Sequence, residues 1–388
     1  MTIGDLGKVV TGKTPSTKND ILWNGSIPFI TPKDIQGLKH IVRTERTVTQ
    51  VGANTVKGSV IPPNAICVSC IGNIGYAGMT TQWSITNQQI NSIIVNKEND
   101  ANFVYYLIRG LWKFFKNYEG QSTTLSILNK SQFSKIEVEI PSLEKQKKIA
   151  AILSSIDAKI EVNQKINDNL YAQAKATTKQ WISKSTGDYE LLPLSDIASI
   201  NPDTYSPKET WKYVNYLDTS SITEGCIAEI QHITPSSEKL PSRARRKIAP
   251  NDIVFSTVRP NQRHYGIISE PLPNMLGSTG FAVIRSKNPL VCNELIYLCL
   301  TENEFIEKMQ QLAEQSTSTF PSIKPSDLGV CEIPCPKDQS STSFTETLKS
   351  LFALIAANQR ENISLSEIRD ALLPKLMSGE IDVSDIQL

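Results

Sequence analysis

The chain has 388 residues, 39% hydrophobic and 20% charged, and its 40 basic and 39 acidic residues leave a formal net charge of +1. This balance excludes a disordered polyelectrolyte and a molecule that attracts nucleic acid through overall charge, so any basic surface has to be local. The length exceeds what one hydrophobic core ordinarily serves, so two or more domains are expected. There is no run of eighteen apolar residues and no export signal at Met1, so no membrane insertion is expected. Seven cysteines at scattered spacings fit a reducing cytoplasm better than a disulfide framework.

Residues 1–140 read as a first mixed α/β domain. Pro63-Asn64 followed by alternating apolar residues over 65–71 is a turn feeding a strand, residues 91–95 form another strand, and residues 101–118 follow the 3.6 period of a helix. Residues 141–185 read as one long amphipathic helix, with Pro141 at its start and no glycine. Its stripe runs through Ile149, Ile152, Ile156, Ile160, Asn163, Asn167, Leu170, Ala174 and Trp181. A helix of roughly forty residues spans about 60 Å, too long for the inside of a small domain, so the stripe needs a partner.

Residues 186–336 read as a second mixed domain, with strands over 252–258 and 281–284 and a helix over 293–312. Residues 337–388 hold a second long helix, from about 343 to 378, and a tail. In this helix Leu348, Leu351, Ile355, Asn358, Asn362, Leu365, Arg369, Leu372 and Leu376 alternate gaps of three and four, a coiled-coil seam with a polar middle. Two unrelated surface helices are the plainer alternative. The matched lengths and the paired Asn-Gln steps favour a coil, and Asn163 and Asn358, near the helix centres, are expected to meet or flank each other in an antiparallel pair.

The chain repeats itself at a shift of 187 to 195 residues. Ile3–Leu6 (IGDL) lies on Leu194–Ile197 (LSDI), and Val60–Gly72 (VIPPNAICVSCIG) lies on Lys247–Arg259 (KIAPNDIVFSTVR). Tyr106-Leu107 falls on Tyr297-Leu298, Gln121–Thr123 on Gln315–Thr317, Ile136–Pro141 on Cys331–Pro336, and Asn163-Gln164 on Asn358-Gln359. The tail after Gly379 resembles the stretch after Gly187, so the termini are expected to lie close together in a pseudo-circular, roughly two-fold arrangement.

This ordered set, together with IEVEIPSLEKQKKIAAIL (136–153) and LLPKLMSGEIDV (372–383), resembles the specificity subunit of type I restriction–modification enzymes over essentially the whole chain. The resemblance implies an α+β fold: two similar target-recognition domains separated by a long antiparallel two-helix coiled coil that spaces them. It also implies double-stranded DNA as ligand, a bipartite site with one half-site per domain, and two modification (methyltransferase) subunits docked on the helices. Restriction (translocase/nuclease) subunits are further partners in the family. S-adenosylmethionine and all catalysis are expected on partner chains, not here. Relatives carry a leading segment before the first LGDI-like strand and this chain has almost none, which leaves the edge packing of the first domain open.

The clearest basic stretch runs from Lys239 to His264 and contains Arg243, Arg245, Arg246, Lys247, Arg259 and Arg263 against the lone acid Asp252. Arg259, Gln262 and Arg263 sit on a loop after a strand, and arginine and glutamine bond bidentately to purine edges while cations neutralise phosphates. In the first domain Lys13, Lys33, Arg43, Asn73, Thr81 and Gln88 are the corresponding candidates, though each taken singly also suits a solvated surface. Trp23 and Trp83 suit either stacking on a sugar or base, or burial.

Nothing points to an enzyme. Cys67 and Cys70 sit at i and i+3 of a strand, facing opposite sides, so they do not converge on a metal. His40, His232 and His264 are scattered, and the glycines Gly72, Gly75 and Gly78 lack the lysine and the helix that phosphate-binding loops need. No N-P-P-Y or D-P-P-Y tetrapeptide occurs. The leading reading is a non-catalytic DNA-recognition subunit; the alternative is a coiled-coil scaffold or adaptor that never touches DNA.

Overall fold

The computed structural model describes residues 1–35, 38–120, 126–184, 187–206, 208–316 and 320–386. The expected match of Gln121–Thr123 to Gln315–Thr317 falls, at 121–123 and 317, outside them. The chain divides into two compact units, residues 1–165 with 359–388, and residues 166–358. The division falls inside both long helices, Leu143–Lys184 and Thr342–Met377.

The first unit is built on two sheets. One has the strand order Gly7–Thr11, Ile90–Val95, Ile66–Ser69, Ala77–Thr80, His40–Ile41, antiparallel except for its last, parallel pair. The other has the order Arg46–Val48, Trp23–Ile30, Ser84–Thr86, Val60–Ile61. The strand Ile66–Ser69 is buried on both faces. Ile66 and Val68 pack with Phe103 and Tyr106 on one side, and Cys67 packs with Ile30 and Ile61 on the other. Two-sided burial explains why this strand is a continuous apolar run in the sequence. The helix expected over 101–118 is broken at Leu111 into Ala101–Gly110 and Trp112–Gly120. The Asp100 carboxylate caps the first by accepting from Phe103 N–H at 2.9 Å, and a glycine closes it, which a periodicity reading passes over.

The second unit repeats this plan. One sheet runs Ala198–Ile200, Phe281–Ser286, Asp252–Ser256, Tyr265–Ile268; the other runs Gln231–Ile233, Val214–Leu217, Met275–Ser278, Ala244–Lys247. It adds a hairpin, Ile222–Thr223 with Cys226–Ile227, and the pair Tyr189–Pro193 with Glu332–Pro336. The helix expected over 293–312 is also two, Asn293–Leu300 and Asn303–Glu314. At the break the Thr301 hydroxyl donates back to the Tyr297 carbonyl at 2.7 Å.

Within each unit the two long helices run antiparallel. In the first unit Asp157 meets Arg369, Lys159 meets Glu361, and Asn163 meets Asn362. In the second unit Asn358 donates to Asn167 at 2.8 Å, Tyr171 touches Phe352, and Trp181 stacks on Phe344 with centroids 4.4 Å apart. Of the expected seam, Ile149, Ile160, Asn163, Leu348 and Leu351 are buried, while Ile156, Leu170, Ile355, Asn358, Leu365 and Leu372 are half-buried. Leu153, Asp157, Asn167, Ala174, Trp181, Arg369, Leu373 and Leu376 are buried along the same helices. Asn163 and Asn358 do not meet each other: each bonds the asparagine one turn along the opposite helix, Asn362 and Asn167. The repeat maps one pair onto the other, so each unit carries its own amide pair, one member buried and the other half-buried. Ile3 and Val383, close to the two ends of the chain, belong to one hydrophobic cluster of the first unit.

Candidate nucleic-acid interface

The strand Ile66–Ser69 delivers its loop, residues 70–76, to the sheet end where Gly12–Thr14 and Asn87–Gln89 also emerge. Cys70 N–H donates to the Gln89 carbonyl at 2.7 Å and Gly12 N–H to the Ile90 carbonyl at 3.0 Å. Lys13, Asn73 and Gln88 therefore share one end of the sheet, all exposed, with the Thr14 hydroxyl donating to the Gln88 side chain at 2.5 Å. Thr81 lies at the opposite end, after Thr80, and Arg43 follows Ile41, the strand neighbour of Thr80. Lys33 instead sits on the turn Pro32–Ile35 after Ile30, whose carbonyl accepts from Asn87 N–H at 3.0 Å. Thr81 donates to the Ile41 carbonyl, and the Asp34 carboxylate accepts from Glu45 N–H. The six first-domain candidates thus do not form one group, because composition carries no strand direction to sort them.

Other cations of this domain are engaged within the protein. Lys39 is 3% exposed; its ammonium donates to the Ser154 hydroxyl at 2.8 Å and lies 4.9 Å from the Tyr106 ring centroid. His40 Nδ1 sits 2.7 Å from the Glu161 carboxylate. Arg46 lies 3.6 Å over the buried Trp23 ring, whose indole N–H donates to the Ser16 carbonyl. Trp83 is 60% exposed, so of the two tryptophans only it offers a ring face to a ligand.

In the second unit the corresponding loop, 257–264, sits at the same end of its sheet. Thr257 N–H donates to the Gly280 carbonyl and Thr279 N–H to the Arg243 carbonyl, both at 2.8 Å, so Arg243 joins Arg259, Gln262 and Arg263 there. Arg259 and Arg263 hold left-handed backbone, with φ of 47° and 57°. The strand registers place Gly72 and Gly75, with φ of 78° and 94°, at the matching positions of the first unit. Both loops are tied to the following segment in the same way: Gly72 N–H donates to Ser126 and Arg259 N–H to Pro321. A left-handed residue other than glycine costs about 1–2 kcal/mol, which the first unit avoids and the second accepts twice.

The arginines differ in what surrounds them. Arg259 is exposed, with its guanidinium 5.1 Å from the Phe320 ring centroid and, among the described residues, no carboxylate against it. Arg263 donates to the Glu224 carboxylate at 3.1 Å and to Asn303 at 2.9 Å. Its guanidinium is therefore partly committed before any ligand arrives. Arg245 donates to the Ser242 carbonyl, and Arg246 is half-buried, its Nε enclosed without a hydrogen-bond partner. Burial holds Arg246 below its ordinary guanidinium pKa. These two lie on or beside the strand Ala244–Lys247 and are less available than their sequence suggests.

The acid within the stretch plays no part at the loop, because Asp252 is fully buried and binds Arg285 at 2.7 Å. The acids that do bear on it, Glu224 against Arg263 and Glu209 against Lys247, come from distant segments. Nothing local in the sequence signals either. The Cys67 thiol lies 3.6 Å from the Ser92 hydroxyl, and burial pushes Cys67 up to about 12 and Cys70 up to about 11. Among the described residues no three metal-ligating side chains converge, and no helix is long and apolar enough to cross a membrane.

Residues 1–172 match the family model described as type I restriction modification DNA specificity domain. The chain is 27% identical to the type I restriction enzyme MjaIX specificity subunit of Methanocaldococcus jannaschii, across 99% of this chain and 93% of that one. It is 39% identical to the HindI specificity subunit of Haemophilus influenzae, across 39% of this chain and 34% of the relative. Among solved structures, a type I restriction–modification S subunit from M. genitalium superposes with a TM-score of 0.50 at 17% identity, covering 97% of this chain and 95% of that one, which supports the fold. The likeness is thus to the specificity domain over the first 172 residues and to a whole specificity subunit across nearly the full chain, alongside a duplicated α/β plan and paired long helices.

Proposed function

We propose that each unit reads one half of a split duplex sequence through the loop at the shared sheet end: residues 70–76 with Lys13 and Gln88 in one, and residues 257–264 with Arg243 in the other. The carrying observation is the repetition itself. Two units with the same strand order bring an exposed polar loop, bracketed by left-handed residues, to the same place. Arg259, exposed and lying beside an aromatic ring, suits bidentate bonding to guanine. Arg243 and Lys13 suit phosphates, which position the protein without reading sequence.

Modification subunits are the proposed partners on the long helices. Val162, Ile363 and Ile368 in the first unit, and Ile166 and Leu354 in the second, are apolar and 41–60% exposed on helices that already have their seam filled. Exposed apolar side chains gathered on one element are what a protein partner covers. Methyl transfer and its S-adenosylmethionine belong, on this reading, to those partners. The helices act as a spacer, so removing one turn from each shortens the gap between half-sites.

The test is the map of methylated sites after co-production with the cognate modification subunit. A motif of two separated parts is expected. Arg259→Gly, which keeps the left-handed backbone, is expected to lower discrimination in one part roughly 5- to 150-fold, the worth of about 1–3 kcal/mol for a bidentate contact, and Asn73→Ala to affect only the other part. A single uninterrupted motif, or one substitution altering both parts, would overturn the proposal. Absence of any DNA binding would leave the adaptor reading.

A further inference from the structure

The repeat places the two helix pairings in register, and one position breaks the likeness. In the first unit Asp157 and Arg369 form a buried ion pair at 2.6 Å, their side chains 4% and 6% exposed. The Tyr106 hydroxyl, from the domain's own helix, donates to Asp157 at 2.5 Å. Shifting by 195 residues turns Asp157 into Phe352 and Arg369 into Ala174. In the second unit Ala174 is fully buried, and the repeat partner of Tyr106, Tyr297, packs its ring on Phe352 with centroids 5.8 Å apart. The same three-way junction is ionic in one unit and apolar in the other.

We infer that this junction decides which helices pair: it commits the amino-terminal half of the chain to its carboxy-terminal half and excludes a second copy of either half. The seam is otherwise permissive. Asn163 and Asn167 have the same residue type at their repeat partners, Asn358 and Asn362, and Ile160 matches Ile355, so these positions fit a like partner as well as an unlike one. At the junction they do not. Two amino-terminal halves packed antiparallel would set each Asp157 against an Ala174, so each buried carboxylate would lose its guanidinium partner and keep only the Lys39 ammonium nearby. Two carboxy-terminal halves would set each Arg369 against a Phe352, so each buried guanidinium would lose Asp157 and keep only the exposed Asp370 beside it. Removing one partner of a buried pair is strongly unfavourable, and each wrong pairing contains two such losses. The neighbouring Lys159–Glu361 contact, with Leu354 and Ile166 as its repeat partners, follows the same pattern but is half-exposed and therefore weak. The inference does not depend on DNA binding.

The test uses every residue of the chain, produced as two pieces divided before Gly187 and made together. A tagged amino-terminal piece is co-produced with an untagged copy of itself and with the carboxy-terminal piece. Capture of the carboxy-terminal piece is expected to exceed capture of the copy by roughly a hundredfold or more. Asp157→Phe in the first piece with Arg369→Ala in the second makes both junctions apolar, and the preference is expected to fall to within a few-fold. Equal capture by the wild-type pieces, or an undiminished preference in the substituted ones, overturns the inference. In the intact chain, Asp157→Arg and Arg369→Asp are each expected to lower Tm and together to restore most of it; absence of restoration overturns it equally.

Discussion

Arg369→Met is expected to lower the unfolding free energy of the first unit by about 3–5 kcal/mol, read as a fall in the urea midpoint at constant slope. Methionine fills much of the volume, so the loss comes from charge. Asp157 would remain buried with the Tyr106 hydroxyl as its donor and the enclosed Lys39 ammonium nearby. Burial by itself lowers the proton affinity of the Arg369 guanidinium, but its hydrogen bond to Asp370 and the charge of Asp157 more than offset this, and its pKa is raised. Tyr106 is likewise raised, by burial first and then by the adjacent carboxylate, so it stays a neutral donor across the working range. Adding Asp157→Phe is expected to recover all but about 1–2 kcal/mol, the cost of leaving the Tyr106 hydroxyl without its acceptor. An Arg369→Met protein as stable as wild type would show that water reaches Asp157.

Gly75→Ala is expected to cost about 2–5 kcal/mol, combining left-handed strain with overpacking. Gly75 has φ of 94°, and a Cβ there would lie 2.5 Å from the Phe115 ring, which is fully buried. The ring cannot withdraw without opening the core, so the loop has to move, and Asn73 moves with it. The readout is a lower Tm together with loss of discrimination in the half-site assigned to the first unit. Gly58→Ala, where a Cβ meets nothing within 4 Å, is the matched control and is expected to change neither.

The architecture was legible because its signals are periodic and duplicated. The stripe through Ile149, Ile160 and Asn163 survives any uncertainty about helix ends, and Pro63-Asn64 against Pro250-Asn251 announces the same turn twice. What did not show is set by distance along the chain or by direction. Asp157 and Arg369 are 212 residues apart. Asp157 reads in sequence as a solvated charge on a helix, and only its position under Tyr106 makes it a buried one. Lys39 reads as part of a basic surface and is instead enclosed by Tyr106 and Ser154. Thr81 reads together with Lys13, Asn73 and Gln88 because composition does not say at which end of a strand a loop emerges. The expected helices across Leu111 and Thr301 are too long because a periodic pattern runs on through breaks marked by Gly110 in one and by the back-bonded Thr301 hydroxyl in the other.

The contrast between glycines and arginines at the left-handed positions also bears on how the second unit can change over generations. Codon-level drift at residue 259 or 263 meets a narrow gate, since few side chains other than glycine, asparagine and aspartate take that backbone readily. Asn261 and Gln262, exposed and free of positive φ, stand between them on ordinary backbone. New sequence preferences in this unit should therefore arise first at those two middle residues, with the flanking pair held as a fixed frame.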